Sequence, residues 1–222
     1  MEIGKIKRTS KETVEGFKQV STSTISDVLD EMSISGIING FRPLMTGIRV
    51  AGPAFTVKEV TGVRGTYSVT ELGGAGSTDS LEKGDIFVCD LGGQQISALG
   101  DLLALSLKLK GAAGAVIDGG VRDVDQIRKE DFPVWTHHIC ATSCKTRAKW
   151  IGVNIPIQVG GVRVNPGDII VADDTSIAVV PADKAEQILE QGSRLEEVER
   201  EFRNGLRRGK TFTEISKKLG VR

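Results

Sequence analysis

Short apolar runs that open on Gly-Asp or close on a glycine pair recur along this chain, and they narrow what it can fold into. Lys83-Gly84-Asp85-Ile86-Phe87-Val88-Cys89-Asp90 runs into Gly92-Gly93, and Ala115–Asp118 runs into Gly119-Gly120. Pro166-Gly167-Asp168-Ile169-Ile170-Val171-Ala172-Asp173 repeats the first pattern as x-Gly-Asp-Ile-x-Val-x-Asp. Such runs are too short for helices and bounded by turn residues, so they read as buried strands. Gly-Asp ahead of a strand is an ordinary turn device, but two copies predict similar strand entries in one compact sheet or barrel. Further strands are expected in Ile48–Val60, with a bend at Gly52-Pro53, and in Pro133–His138. A hairpin is expected in Ile155–Val164 around Gly160-Gly161, and two short strands in Asp168–Val180. Helices interleave: Ser10–Met32 in two pieces, Asp101–Lys110, a long one from Pro181-Ala182-Asp183 to Arg208, and Thr213–Leu219. Mixed short strands and helices make the class α/β or α+β. Thr61–Asp79 is glycine-rich and follows no period.

At 222 residues the chain is expected to form a single domain over residues 1–222, with a C-terminal helical extension from about 183 to 222. A chain of this length buries ~70% of its unfolded surface and needs no disulfide or structural metal. Lys plus Arg and Asp plus Glu are equal at 29 each, which argues against a nucleic-acid binder. The balance is uneven: residues 194–222 carry nine basic and five acidic side chains, leaving +4 there and −4 on the rest. A basic helical tail of that kind reads as a solvated helix or a subunit contact. No apolar run approaches the ~20 residues that span a bilayer. Three cysteines, and no charged-then-apolar signal in Met1–Ser10, predict a reducing cytoplasm. Glycine is abundant at 27 residues and aromatics are ten, which suits close backbone approach to a small anion better than stacking.

Two segments carry the candidate chemistry. Gly100-Asp101-Leu102-Leu103 opens an apolar helix, and Asp118-Gly119-Gly120-Val121-Arg122-Asp123 follows a strand. Arg122 is a fork for a carboxylate, and Asp123 could hold a hard divalent cation. Either could equally be a surface ion pair. Asp101 could simply cap the helix by accepting from N–H groups one turn in, whereas the functional reading has Leu102 and Leu103 N–H binding an anion. One helix and one strand separate the segments, so they can meet in space. In the last helix Ile188, Leu195, Phe202 and Leu206 form a stripe with Glu199 in its middle, while Glu196, Glu197 and Glu201 are expected to face away. A carboxylate on an apolar face requires a salt bridge or a metal-water shell.

Other motifs carry less. His137-His138-x-Cys140-x₃-Cys144 lacks zinc spacing and reads as a strand end with two buried thiols. Gly73-Gly74-Ala75-Gly76 is not followed by Lys-Ser/Thr, so a phosphate loop is not expected. No Gly-x-Gly-x-x-Gly opens a nucleotide or S-adenosylmethionine domain. Lys108 and Lys110 lie at a helix end, where the dipole keeps an ammonium charged, which disfavours a Schiff base.

The runs Gly84-Asp85-x₄-Asp90-x-Gly-Gly, Ala98-Leu99-Gly100-Asp101-Leu102-Leu103-Ala104 and Gly114-Ala115-Val116-Ile117-Asp118-Gly119-Gly120-Val121-Arg122-Asp123 resemble the RraA-like family. That family holds 4-hydroxy-4-methyl-2-oxoglutarate aldolases and regulators of ribonuclease E activity. The resemblance spans about Ser23 to Asp183 and implies a compact β/β/α sandwich of the swivelling type with a long C-terminal helix. It implies that Gly100–Leu103 binds the carboxylate and carbonyl of a pyruvyl group through backbone N–H groups, with Asp101 orienting water. It further implies that Arg122 offsets enolate charge and Asp123 holds Mg²⁺ or Mn²⁺. Glu199 of a neighbouring subunit would complete the metal-water shell in a homotrimer or homohexamer. Where the family often carries an Asn-rich helix, this chain has Gly62–Gly76.

The leading expectation is therefore a metal-dependent (class II type) aldolase releasing pyruvate from a 4-hydroxy-2-keto acid, with oxaloacetate decarboxylase activity and no nucleic-acid or membrane partner. The competing one is a non-enzymatic regulator binding a ribonuclease or helicase, which needs neither metal nor Glu199. A methyltransferase stands third, for lack of an S-adenosylmethionine site.

Overall fold

The computed structural model describes residues 1–71 and 78–220; Gly73–Gly76, weighed above as a phosphate loop, lies outside them. The elements in chain order are β1 (Glu2–Ile3), α1 (Lys11–Phe17), α2 (Thr22–Glu31), β2 (Ile37–Ile38), β3 (Arg42–Pro43), β4 (Val50–Thr61), β5 (Ile86–Asp90) and β6 (Ser97–Leu99). There follow α3 (Asp101–Leu109), β7 (Gly114–Val121), α4 (Val124–Lys129), β8 (Val134–Ile139), β9 (Ala148–Val153), β10 (Ile157–Val159) and β11 (Val162–Val164). β12 (Ile169–Ala172), β13 (Ile177–Val180), α5 (Ala185–Arg207) and α6 (Phe212–Leu219) complete the chain.

The long strand β4 organises a curled, mixed α/β architecture. From Val50 to Pro53 it pairs antiparallel with β12, which carries the sheet on to β13 and β2. From Ala54 it pairs parallel with β5, followed by β7 and β8, also parallel. β9 adds antiparallel to its second half. The expected bend at Gly52-Pro53 is thus where β4 passes from one set of neighbours to the other. A Cβ at Gly52 would stand 2.2 Å from the Gly84 carbonyl, so only glycine lets the turn ahead of β5 close on β4. The two Gly-Asp repeats enter β5 and β12, the strands that flank β4 on its successive halves.

Three apolar clusters hold the layers. Phe55, Phe87, Leu99, Leu107, Ile117 and Ile127 join the parallel strands to α3 and α4. Ile86, Val88, Trp135, Val159 and Val164 seat the β10–β11 hairpin on the other side. Phe17, Ile25, Leu29, Val180 and Ile188 bind α1, α2 and α5 to the antiparallel strands.

Two expectations need correcting. Gly119-Gly120 does not end β7, which runs on to Val121. A Cβ at Gly120 would meet Cys140 Sγ at 2.3 Å and the Ile96 carbonyl at 2.8 Å, so the glycine lets β6 and the end of β8 close over the strand. Glu196, expected to face away, is instead the acid turned toward the body: its carboxylate accepts from Ser21 N–H and Thr24 Oγ1, both at 2.8 Å. Those groups belong to the start of α2, whose free N–H groups attract an anion. Glu199 lies on the apolar stripe by angle but is exposed and paired to Arg203 at 3.1 Å. Leu195 is the last residue of the stripe packed on the body's core among the described residues; Phe202 rests on Phe212 of α6 with ring centroids 4.5 Å apart, and Leu206 is exposed.

Candidate active site

The two candidate segments meet because β6 lies parallel to the end of β7, with Leu99 beside Val121. Arg122 N–H donates to the Leu99 carbonyl at 3.0 Å, which sets Gly100 directly against Arg122-Asp123. Three-residue β6 is too short to read from sequence, yet it brings the two halves together. A Cβ at Gly100 would stand 2.9 Å from Asp123 Oδ2 and 3.1 Å from Arg122 Nε. The start of α3 and the Arg-Asp pair are therefore in contact through the space that glycine leaves open. Gly100→Ala is expected to melt within a few degrees of the parent, because the crowded atoms are ends of side chains. Its activity is expected to fall ~100-fold by displacing them; full turnover would show that the apposition is incidental.

Gly100, not Asp101, is the N-cap of α3, and no side chain caps it. Asp101 is the first helical residue and turns its carboxylate onto the adjacent Leu102 N–H at 2.8 Å, rather than reaching one turn in. Among the described residues Leu103 N–H has no acceptor, so one of the two expected anion donors is free and the other is held by Asp101. Leu102 itself is 78% exposed at the lip.

Arg122 Nε pairs with Asp123 Oδ2 at 3.1 Å, both side chains more than a third exposed. At this exposure the pair contributes little to stability, which leaves it available to a ligand. Asp123 holds a left-handed backbone, φ 56° and ψ 35°, as it starts α4. That conformation costs a residue with a Cβ ~1–2 kcal/mol, and aspartate tolerates it better than most. It turns the chain sharply between β7 and α4 at the carboxyl end of a parallel strand, where α/β folds place ligands.

A cleft of about 280 Å³ opens beside Gly100 and Arg122, and Asp123 is not among the residues that line it. Gly100, Asp101, Leu103 and Arg122 line it together with Glu59, Cys144, Lys145 and Trp150. Glu59 was missed by the sequence reading. It sits in β4 and is almost fully buried, and burial pushes its carboxyl up to about 7 against the pull of the Cys89 thiol and the nearby Trp150 side chain. Cys89 Sγ donates to its Oε1 at 3.3 Å, while Oε2 is buried without a partner. Burial, with Glu59 nearby, pushes the Cys144 thiol up to about 11.

Glu199 is not among the residues of the cleft. Among the described residues no cluster of three His, Cys, Asp or Glu side chains could ligate a metal within one chain. His137 and His138 stack at the end of β8, with His137 Nδ1 3.3 Å from Asp118. Cys140 and Cys144 are half-buried rather than buried, because the segment after β8 runs along the surface. Among the described residues no helix is long and apolar enough to cross a membrane.

A helix start opposed to an arginine-aspartate pair at the ends of parallel strands defines a mixed α/β protein with a small cleft beside an arginine. The chain belongs to the RraA-like family: the family model described as Aldolase/RraA matches residues 22–179. It is 31% identical over 193 residues to Protein DlpA of Legionella pneumophila, covering 86% of this chain but only 31% of that protein. It is 31% identical over 180 residues to a Halalkalibacterium halodurans protein named "Putative 4-hydroxy-4-methyl-2-oxoglutarate aldolase", with 80% of each chain covered. Among solved structures, Streptomyces coelicolor RraAS2, described as an unusual member of the RNase ES inhibitor RraA protein family, superposes with a TM-score of 0.79 at 30% identity. That match covers 89% of this chain and 98% of RraAS2.

Proposed function

We propose that this protein is a metal-dependent carbon–carbon lyase that releases pyruvate from 4-hydroxy-4-methyl-2-oxoglutarate or a similar 4-hydroxy-2-keto acid, and that also decarboxylates oxaloacetate. The observation that carries the reading is the contact of the α3 start with Arg122-Asp123 through Gly100. The Leu103 N–H and the helix dipole bind the substrate carboxylate, joined by Leu102 N–H when the carboxylate displaces Asp101. Arg122 faces the keto oxygen and is complementary to the enolate charge that appears only as the bond breaks. Asp101, released from Leu102, orients water at the cleft mouth.

The donor set suits a hard divalent cation: Asp123 offers one partly exposed carboxylate next to Arg122, and Mg²⁺ is commonly held by one or two carboxylates with waters retained. Asp123 would hold Mg²⁺ or Mn²⁺ with Glu199 from a neighbouring copy. When bound, the cation supplies Lewis-acid polarisation of the keto acid. The exposed distal stripe of α5, with Glu199 upon it, supports an assembly such as a homotrimer or a pair of trimers. A cytoplasmic setting accords with three unpaired cysteines.

The experiment is a coupled pyruvate-release assay with both substrates, with and without EDTA. Release that stops on chelation and returns with Mg²⁺ or Mn²⁺ supports the reading; no release from either substrate contradicts it. The similarity to RraAS2 favours as second reading a regulator that binds a ribonuclease or helicase, which predicts no release at any metal concentration. Assembly is tested separately. Inactive Asp123→Ala and Glu199→Ala subunits, dissociated and reassembled together, are expected to regain part of the activity, since some interfaces inherit neither lesion. Demonstrably mixed oligomers without recovery would place the site within one chain.

A further inference from the structure

Glu59 lines the cleft together with Asp101 and Arg122, and the roles assigned above leave it unused. Its β4 neighbours on the same face, Phe55 and Val57, are wholly buried core, so an acid here is costly unless something in the cleft uses it. Oε1 is engaged by Cys89, and Oε2 is buried with no partner of its own. An orphaned buried polar atom on a residue that lines a cleft is a place where a ligand can complete the bonding.

We propose that Glu59 is the proton-transfer residue of this cleft, touching the bound keto acid through Oε2. The inference rests on the lyase reading above. The Glu59 carboxylate takes the proton of the substrate C4 hydroxyl. The C4 carbonyl forms, the C3–C4 bond breaks, and its electron pair passes into the C2 keto group as the enolate that Arg122 faces. Glu59 then returns the same proton to C3, giving pyruvate and restoring the carboxylate, so atoms and charge balance without a co-reactant.

The physical state of the residue suits that cycle. With its carboxyl pushed up to about 7 by burial, both protonation states are populated at neutral pH, where acid–base exchange in both directions is most effective. The titratable groups packed on Glu59 are Cys89 from β5 and Cys144 ahead of β9, with the neutral Trp150 of β9 nearby. Asp101, Arg122 and Lys145 share the cleft. Both thiols are pushed above their ordinary range by burial, so near neutrality the residue that changes charge on this wall is Glu59.

The test is Glu59→Gln, which keeps the shape and a polar contact to Cys89 but carries no transferable proton. Three quantities are read on the full chain: kcat and KM against pH for pyruvate release, exchange of pyruvate methyl protons in D₂O, and the melting temperature. Glu59→Gln is expected to lose ~10²–10⁴-fold in kcat with little change in KM, to lose the kinetic limb near neutrality, and to stop methyl exchange. Its fold is expected to hold. The parent carboxyl is raised from 4.5 to about 7, so its burial favours folding below about 4.5 and that benefit is lost as pH rises through about 7. The parent should therefore lose melting temperature across this window relative to Glu59→Gln.

Cys89→Ala removes the thiol that stabilises the charged form, so it should keep turnover while its kinetic limb moves to higher pH. Unchanged kcat, pH profile and methyl exchange in a folded Glu59→Gln protein, beside an active parent, would overturn the role of Glu59 and leave the lyase reading standing. A parent that neither releases pyruvate nor exchanges its methyl protons would overturn both. Should Glu59→Gln fail to fold, the Cys89→Ala shift decides: an unmoved limb overturns the proposal.

Discussion

Asp123→Ala is expected to abolish pyruvate release, with a fall of at least ~10³-fold in kcat/KM and less than ~1 kcal/mol of lost stability. The asymmetry follows from where Asp123 stands. Its side chain is more than a third exposed, and among the described residues its ion pair is to Arg122, an exposed pairing of small energetic weight. No side-chain bond of Asp123 caps α4, so alanine removes no capping bond, and the left-handed backbone is the one place where it could cost something. On the functional side, Asp123 is the carboxylate paired with Arg122 and set against Gly100 at the α3 start. Its loss removes the carboxylate proposed to hold the divalent cation and frees Arg122 from its neighbour. Steady-state kinetics over a range of Mg²⁺ and Mn²⁺, alongside thermal melting, check both halves. A variant that keeps its rate at low metal would show Asp123 to be a turn residue only.

Arg122→Lys is the second large effect. The Arg122 backbone is locked by its N–H bond to the Leu99 carbonyl at 3.0 Å, and its Nε is directed to Asp123 at 3.1 Å. Among the described residues the terminal guanidinium nitrogens meet no acceptor, so the planar fork is free to face a carboxylate or enolate. Lysine keeps the charge but offers a point ammonium on a flexible stem, which cannot hold Asp123 and the substrate together. Loss of one preorganised donor to a developing oxyanion typically costs ~10²–10³-fold in kcat. The variant should lose about that much turnover, with KM raised less. Unchanged kcat and KM would make Arg122 a structural residue of the β7 end.

The parts of this fold that could be read from sequence are those where a single physical signal dominates. β5, β12 and β13 are continuous apolar runs between turn residues, the β10–β11 hairpin follows from Gly160-Gly161, and α3 and α5 follow from their apolar spacing. β6 and α4 escape such reading because three and six residues carry no period, and both exist through their contacts with β7 and β8. The proximity of Gly100 to Arg122 could be anticipated only from chain order; β6 makes it a contact. Glu59 did leave a signal. Phe55, Val57 and Glu59 alternate onto one face of β4, and an acid continuing an apolar face marks a site or a buried pair. On α5 the wheel put Glu199 on the stripe correctly, but no wheel shows where the start of α2 lies, and so it could not identify Glu196 as the acid that accepts from Ser21 and Thr24 there.

Enolate stabilisation is the central claim for the cleft, and oxalate tests it most directly, being a planar dianion shaped like the enolate of pyruvate. Isothermal titration of oxalate into the full chain with Mn²⁺ present should give binding at least ~100-fold tighter than pyruvate, as transition-state-like ligands bind. The preference for oxalate should be lost in Arg122→Lys and in Asp123→Ala. Equal affinity for oxalate and pyruvate, or oxalate binding unaffected by either substitution, would contradict the account.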